Sequence, residues 1–221
     1  MKSLRESLFN RKNLDNRLQD KKYEFTGKSR MIAGHKVYQI RSLKDFGDVS
    51  KGQIGGWIEK EENLSQDGNC WVYARAEVYG NAEVFDDAQV YGDAKVYGAA
   101  KVSGNAKIHT NVKVYDNAKV SDNAQVYTNA EVYGNASIGG HAEIHGYAKV
   151  YARAEVYDNA DVFDNAQVYG DAQVYGDAQV YGNAVVHWKA QVSGNSEIYG
   201  NSIIHGNAKV KDVKIKDKDI K

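Results

Sequence analysis

The sequence is dominated by a six-residue repeat that runs without a slip in phase from Ala76 to Asn207. Its consensus is Ala-x-Val-Tyr-Gly-Asn, and a Val or Ile recurs every six residues from Val72 to Val210. This period is too short for a pair of helices and too regular for hairpins, but it fits a short strand followed by a tight corner. Val and Ala would point inward at alternate positions, while Gly with Asn or Asp forms the corner. The repeat therefore predicts an all-β chain of parallel coils.

Three such hexads per turn predict a three-sided coil of 18 residues, in which positions 18 apart stack about 4.8 Å above each other. The outward residue after each Val or Ile then forms one column per face, and two columns are almost entirely aromatic. Stacked rings stabilise each other by roughly 0.5–1 kcal/mol per pair, and a flat aromatic surface for a partner is the functional alternative. The columns are Tyr73, Tyr91, His109, Tyr127, His145, Phe163, Tyr181 and Tyr199 on the first face; Tyr79, Tyr97, Tyr115, Tyr133, Tyr151, Tyr169, His187 and His205 on the second; and Phe85, Ser103, Ser121, Gly139, Tyr157, Tyr175, Ser193 and Lys211 on the third.

The pattern Val-x-Gly-Asn-Ala-x resembles the hexapeptide repeat of left-handed parallel β-helix proteins. The resemblance covers roughly residues 54–213, close to three-quarters of the chain. It implies a left-handed three-sided solenoid; the general rule for parallel crossovers would favour a right hand, so the hand comes from the resemblance alone. Bacterial and prophage proteins with almost pure AxVYGN repeats are similar, and hexapeptide-repeat acyltransferases are similar in fold.

The chain divides into three predicted parts. Residues 1–53 form an α/β cap, with an amphipathic helix in residues 1–22 and short strands separated by Gly27 and Gly34. Residues 54–213 form the β-helix, with Ile54, Lys60 and Gln66 at the inward positions of a degenerate first turn. Residues 214–221 are a basic tail; the alternation in residues 210–218 allows either a last strand over the open end or a frayed tail.

Charge is unevenly distributed, although the net charge is zero. Residues 67–206 hold 9 Lys and Arg against 17 Asp and Glu, a net charge of −8. Nucleic-acid binding by this body is not expected, because phosphate contacts need Lys and Arg. One acidic corner allows the opposite hypothesis, mimicry of nucleic acid, although Asp is also an ordinary corner residue. That corner comprises Asp86, Asp87, Asp122, Asp158 and Asp177.

The block of residues 138–147 departs most from the repeat. It resembles stretches that carry the histidine of hexapeptide-repeat acyltransferases; if the chain is an enzyme, His145 or His141 is the expected general base and acetyl-CoA the acyl donor. Gly139 and Tyr147 make the same block a candidate binding site. However, no insertion interrupts the repeat between residues 72 and 210, so no loop is available to build a substrate pocket.

A second candidate binding site lies near the C-terminal end. Val185 and Ile203 replace polar outward residues beside Trp188, which predicts an exposed apolar patch unless the tail covers it. His187 and His205 are one coil apart on the same face and could supply half a metal site. Zinc needs three or four ligands, so no metal is predicted.

These observations favour a non-enzymatic β-helical scaffold that binds a macromolecular partner, most simply a protein. Inhibition of a host protein by a phage-encoded chain is the sharper version of this hypothesis. The alternative is an acyl-CoA-dependent acyltransferase of the hexapeptide-repeat class. A homodimer or homotrimer is compatible with either. A single cysteine, the lack of a signal peptide and the lack of a membrane span predict a cytoplasmic location.

Overall fold

The computed structural model describes residues 21–221, so the helix predicted for residues 1–22 lies almost entirely outside the described residues. The described chain is a parallel β-solenoid with three faces, as the repeat predicts. Its short strands recur once per face per coil and pair in parallel with the strand 18 residues away, as in Lys113–Glu131 and Val114–Val132. The predicted 18-residue coil is therefore confirmed.

The strands of the coils fall into three sheets, one per face. Face 1 contains β4 Trp71–Val72, β7 Gln89–Val90, β10 Lys107–Ile108, β13 Gln125–Val126, β16 Glu143–Ile144, β19 Asp161–Val162, β22 Gln179–Val180, β25 Glu197–Tyr199 and β28 Lys214–Lys216. Face 2 contains β5 Glu77–Val78, β8 Lys95–Val96, β11 Lys113–Val114, β14 Glu131–Val132, β17 Lys149–Val150, β20 Gln167–Val168, β23 Val185–Val186, β26 Ile203–Ile204 and β29 Asp219–Ile220, and continues into β1 Tyr23–Ile32, β2 His35–Ser42 and β3 Ile54–Ile58. Face 3 contains β6 Glu83–Val84, β9 Lys101–Val102, β12 Lys119–Val120, β15 Ser137–Ile138, β18 Glu155–Val156, β21 Gln173–Val174, β24 Gln191–Ser193 and β27 Lys209–Lys211.

The core is a continuous stack of Val, Ile and Ala side chains. In a typical hexad, Ala130 and Val132 are both fully buried, whereas Glu131 between them points outward. This alternation is the period-2 geometry of a strand. It explains why the repeat fixes two residues of every six and leaves the outward positions free to vary.

The corners depend on a residue with positive φ. Gly134 has φ +71°, and Asp122 takes the same place with φ +59°. The following Asn does not need this conformation, so within the Gly-Asn pairs it is Gly that provides the bend. Successive corners also approach closely: a Cβ added to Gly140 would lie 2.7 Å from the backbone N of Asp158.

The N-terminal segment extends face 2 with an antiparallel hairpin. β1 and β2 pair antiparallel, and β2 pairs antiparallel with β3. The two short strands expected around Gly27 are one strand with a register shift between Phe25 and Ser29. Over the first coil, the Tyr23 hydroxyl donates to the carbonyl of Leu64 at 2.8 Å. The hairpin thereby covers apolar residues at the start of the core.

The first coil departs from the expected phase. Its inward residues are Ile58, which pairs with Val78, and Leu64, which bridges Val84. The prediction of Ile54, Lys60 and Gln66 at inward positions is therefore wrong. A short 3-10 helix, Glu61–Asn63, lengthens this coil to 20 residues between Ile58 and Val78.

The solenoid continues beyond the predicted boundary at residue 213. β28 pairs with β25 at a spacing of 17 residues, and β29 pairs with β26 at a spacing of 16. Each of these corners is shorter than usual. An Asp carboxylate there replaces the backbone carbonyl that accepts a hydrogen bond in the other coils: Asn195 N donates to Asp212 and Asn201 N donates to Asp217. The segment is ordered strand rather than a frayed tail.

Candidate functional site

Aromatic rings stack along faces 1 and 2. From Tyr79 to Tyr169 the ring centroids of successive residues on face 2 lie 4.8–5.1 Å apart, with ring planes within 10° of parallel. Face 3 has one such pair, Tyr157 and Tyr175. These contacts explain the repetition of Tyr structurally, so the functional residues should lie where the columns change.

Each outward Glu of the face 2 coils pairs with a Lys one coil away, whereas two acidic residues pair with each other on face 1. On face 2, Glu131 contacts Lys113 at 2.9 Å and Lys149 at 3.7 Å. On face 1, Glu143 pairs directly with Asp161 across neighbouring strands. The residues above and below this pair are glutamines, so two carboxylates meet without a lysine. We call His141, Glu143, His145 and Asp161 the waist site.

His145 is the basic side chain in contact with the carboxylates of the waist site. Its Nε2 lies 3.2 Å from Asp161 Oδ1. We regard this as a close polar contact and not a hydrogen bond, because Asp161 Oδ1 has no hydrogen-bond partner among the described residues. The imidazole is stacked between Tyr127 at 4.6 Å and Phe163 at 5.0 Å. Both ring faces are covered, and one edge nitrogen is directed to Asp161.

The carboxyl groups of the waist site have different environments. Burial raises the pKa of Asp161, and the charge of Glu143 raises it further, while His145 opposes the shift. Glu143 accepts a hydrogen bond of 2.7 Å from the Tyr127 hydroxyl. The two carboxyl groups, Glu143 and Asp161, can exchange protons beside His145. Proton exchange of this kind is the chemistry that a general base requires.

The predicted residues of block 138–147 do not form one site. His141 lines a shallow depression of about 480 Å³ together with Glu143 and Asp161. Gly139 belongs to face 3, where the carboxylate of Asp122 occupies the space that a Cβ would need. Tyr147 lies at the next corner, 63% exposed, with no ring contact. Only His141 and His145 lie at the waist site.

The second predicted region is an exposed patch on face 2, and the tail does not cover it. Trp188 is 61% exposed and Ile203 is 37% exposed, because β29 extends the sheet beside β26 rather than folding over it. The Trp188 indole stands edge-on to His187 and His205, at centroid distances of 6.0 and 6.5 Å. We call Val185, His187, Trp188, Ile203 and His205 the Trp188 patch.

Trp188 has an unusual backbone conformation. Its φ is +63°, and it is the one aromatic side chain among the described residues at a positive-φ corner. Gly occupies the equivalent corners one coil before, at residue 170, and one coil after, at residue 206. A bulky residue in this region is a true outlier. Strained residues of this kind concentrate at functional sites.

The two histidines of the Trp188 patch have different surroundings. His187 stacks between Tyr169 and His205, and its Nδ1 is buried with no hydrogen-bond partner among the described residues. Burial lowers the pKa of His187, and the neighbouring charge of His205 lowers it further. His205 Nε2 lies 2.8 Å from the carboxylate of Asp219. No group of three or more metal-ligating side chains occurs in the described part of the chain.

The acidic corner has a local structural explanation. The carboxylates of Asp86, Asp122 and Asp158 each accept a hydrogen bond from the backbone N of the Gly one coil later, at 3.1, 2.9 and 3.1 Å. Asp177 accepts from the side-chain amide of Asn159. These hydrogen bonds stabilise the corners and explain Asp there as a corner residue.

Comparison with known proteins supports the same architecture. The family described as the YdcK β-solenoid repeat matches residues 88–104 and 172–187. The chain is a hexapeptide-repeat β-solenoid. The predicted resemblance to the hexapeptide-repeat β-helix family is thus confirmed by the repeat match and by the parallel coils.

A curated relative matches a short part of this solenoid. It is named an uncharacterized acetyltransferase, YdcK, of Escherichia coli strain K12, and it is 54% identical over 35 residues. The match covers 16% of this chain and 11% of the relative, so it reports on the repeat rather than on the whole protein. No helix among residues 21–221 is long and apolar enough to cross a membrane.

Several residues of the waist site and of the region around Trp188 were not predicted from the sequence. Asp161 was not identified, although its 18-residue spacing from Glu143 was a usable signal. Lys189 and Lys221 line a cavity beside Trp188 and were also missed. Their proximity depends on the shortened final coil, for which the repeat gives no signal.

Proposed function

We propose that the protein is a non-enzymatic scaffold that binds a protein partner through the Trp188 patch. The observation that carries this proposal is Trp188 itself, a largely exposed indole at a strained corner. Tryptophan is strongly enriched among residues that dominate binding energy at interfaces. An exposed apolar group in this position does not contribute to the core, so binding is its simplest explanation.

The shape of the solenoid supports binding rather than catalysis. Throughout the described coils from residue 71 to residue 211, strands and two-residue corners follow each other without an inserted loop. Flat faces suit macromolecular contacts, whereas enzymes usually enclose a small substrate in a concave pocket.

An affinity capture experiment tests this proposal. The immobilised full chain, its Trp188→Gly variant and its Tyr147→Asn variant are incubated with a cell lysate, and retained proteins are quantified by mass spectrometry. We expect one protein to be retained by the wild type and by Tyr147→Asn but lost from Trp188→Gly. Tyr147 is the matched control because its ring is about as exposed, 63% against 61%. Equal retention by all three chains would refute the proposed site.

The hypothesis of a phage-encoded inhibitor makes an additional demand. The captured protein must be a host protein that loses its activity when the solenoid binds. If the captured protein keeps its activity in the complex, the scaffold function stands and the inhibitor hypothesis is wrong.

The second candidate function is acyl transfer at the waist site. It is favoured by the contact between His145 and Asp161 and by the name of the relative, an uncharacterized acetyltransferase. Under this alternative, acetyl-CoA raises the melting temperature and is turned over with an amine or hydroxyl acceptor, and His145→Ala abolishes the turnover. We expect neither stabilisation nor turnover by the wild-type chain; both together would overturn the scaffold proposal.

A further inference from the structure

The cavity beside Trp188 defines the chemistry of a ligand. We propose that the Trp188 patch and this cavity bind an acidic peptide segment of the partner, with an apolar side chain against the indole and carboxylates beside two lysines. The inference rests on the proposed binding function and adds the class of segment that is recognised.

The cavity is built from three successive corners of the solenoid. It has a volume of about 700 Å³ and is lined by Trp188, Lys189 and Lys221 together with corner residues of the neighbouring coils. Ligand pockets in proteins usually have volumes of roughly 300–1,000 Å³. The coils approach closely at the glycine corners of the cavity: a Cβ at Gly170 would lie 2.8 Å from the backbone N of Trp188, and one at Gly206 would lie 3.1 Å from Lys221.

The charges around the cavity leave a positive excess. The carboxylate of Asp171, which also lines the cavity, is held by Arg153 in two hydrogen bonds of 2.6 and 3.0 Å. The carboxylate of Asp219 lies 2.8 Å from Nε2 of His205. Lys189 and Lys221 are exposed and make no ion pair within the described part of the chain. Arg153 therefore compensates Asp171, and the two lysines exceed the one remaining carboxylate, Asp219, by one positive charge that is available for a carboxylate of a ligand.

Apolar surface extends from the cavity along face 2. Val185 and Ile203 lie on neighbouring strands, two residues before His187 and His205. Two residues along a strand span about 6.6 Å. A ligand that contacts both the indole and the two aliphatic side chains must span at least about this distance. A peptide segment meets this requirement better than a small molecule does.

A nucleic acid would also bring negative charge and flat rings, but it fits less well. The solenoid body carries a net charge of −8 over residues 67–206. A polyanion that extends beyond the cavity would be repelled by this body, because its affinity comes mainly from phosphate contacts with Lys and Arg. A short acidic segment of a protein places its charge only at the cavity.

Selection from a random displayed peptide library tests the proposal with the full chain. We expect peptides retained by the wild type to be enriched in Asp and Glu around an apolar residue, and their affinity to fall with added salt. The Trp188→Gly variant should raise the Kd of a selected peptide roughly tenfold or more, as expected for the loss of an interface hot spot. Tyr147→Asn should leave the Kd unchanged.

Charge reversal provides the sharper arm of the test. The double variant Lys189→Glu/Lys221→Glu should lose the acidic peptides and select basic ones, whereas Lys119→Glu/Lys149→Glu, with exposed lysines on coils away from the cavity, should select as the wild type does. Neutral peptides, or the same acidic peptides on the reversed cavity, would overturn the inference. So would tighter binding of a single-stranded oligonucleotide, or stabilisation by acetyl-CoA that Trp188→Gly abolishes.

Failure of this inference and failure of the proposed function give different results. If a protein is captured in a Trp188-dependent manner but contacts the cavity with neutral or basic residues, the scaffold function stands and the acidic segment is wrong. If neither a lysate protein nor any library peptide depends on Trp188, both are wrong.

Discussion

Replacement of Trp188 by Gly and by Ala separates strain from packing at the proposed site. A residue other than Gly at φ +63° costs roughly 1–2 kcal/mol relative to an ordinary conformation. Gly avoids this cost but loses about 0.5–1 kcal/mol through the greater freedom of the unfolded chain. The two effects leave Trp188→Gly about 1 kcal/mol more stable than Trp188→Ala. At an ordinary strand or helix position the order is reversed.

The loss of the indole itself is the second part of the calculation. The ring is 61% exposed and makes two edge-on contacts, with His187 and His205. Such contacts contribute roughly 0.5 kcal/mol each when they lie at the outer end of the distance range. Together with the partial burial of the ring, we expect Trp188→Gly to cost about 2 kcal/mol or less. Trp71 is fully buried, and Trp71→Ala should cost about 3–5 kcal/mol.

Urea unfolding followed by circular dichroism measures these differences, with an unchanged m-value as the condition for comparing the chains. Asn165 supplies the matched control, because it is an exposed corner residue without positive φ. At that position the Ala variant should be more stable than the Gly variant. The reasoning is refuted if Trp188→Ala is as stable as Trp188→Gly, or if Trp188→Gly is as damaging as Trp71→Ala.

Three further predictions follow from the ring columns, the waist site and the cap. Tyr133 stacks on a ring at 4.8 Å on either side, so Tyr133→Ala should cost about 2 kcal/mol and Tyr157→Ala, with one stacked neighbour, about half as much in urea unfolding. The raised pKa of Asp161 means that the folded chain keeps a proton that the unfolded chain releases from about pH 4. The stability of the wild type relative to Asp161→Asn should therefore be constant below about pH 4 and should fall as pH rises from there through the folded pKa. A stability difference that is independent of pH would contradict the assignment. Lys22 is 1% exposed and donates to the carbonyl of Cys70 at 3.0 Å and to two more carbonyls, so Lys22→Met should cost about 3 kcal/mol by leaving buried acceptors unpaired; a melting temperature equal to that of the wild type would show that they find other donors.

The regular coils could be predicted from the sequence because two inward residues in every six determine them. Val132 and Ala130 are buried for the same reason in every hexad, so one correct phase gives every strand. The ends could not be predicted in this way. The first coil contains a 3-10 helix and the buried Trp71, and the last coil loses one residue at each of two corners. Such changes depend on how the core is closed, which a periodic pattern does not encode.

The candidate sites were predictable to different degrees. Columns with an 18-residue spacing place Glu143 beside Asp161, so this pair was within reach of the sequence. The raised pKa of Asp161 depends on its burial, which only the three-dimensional arrangement gives. The exposure of Trp188 was predicted, but the cavity was not, because it requires Lys221 to return beside Gly206.

The position of Trp188 has a reason in the geometry of the solenoid. An inward site is limited to small or branched residues by the width of the core, and an outward ring such as His187 lies within a stack that covers both of its faces. A side chain at the corner is not confined in either way, since its neighbours one coil away, Gly170 and Gly206, have none. The corner is thus the place where an aromatic residue can project from the solenoid without changing the core or the stacks. The conformational cost there is small, roughly 1–2 kcal/mol. A projecting indole can enter a pocket on the surface of a partner, whereas a tyrosine that lies within a ring stack cannot.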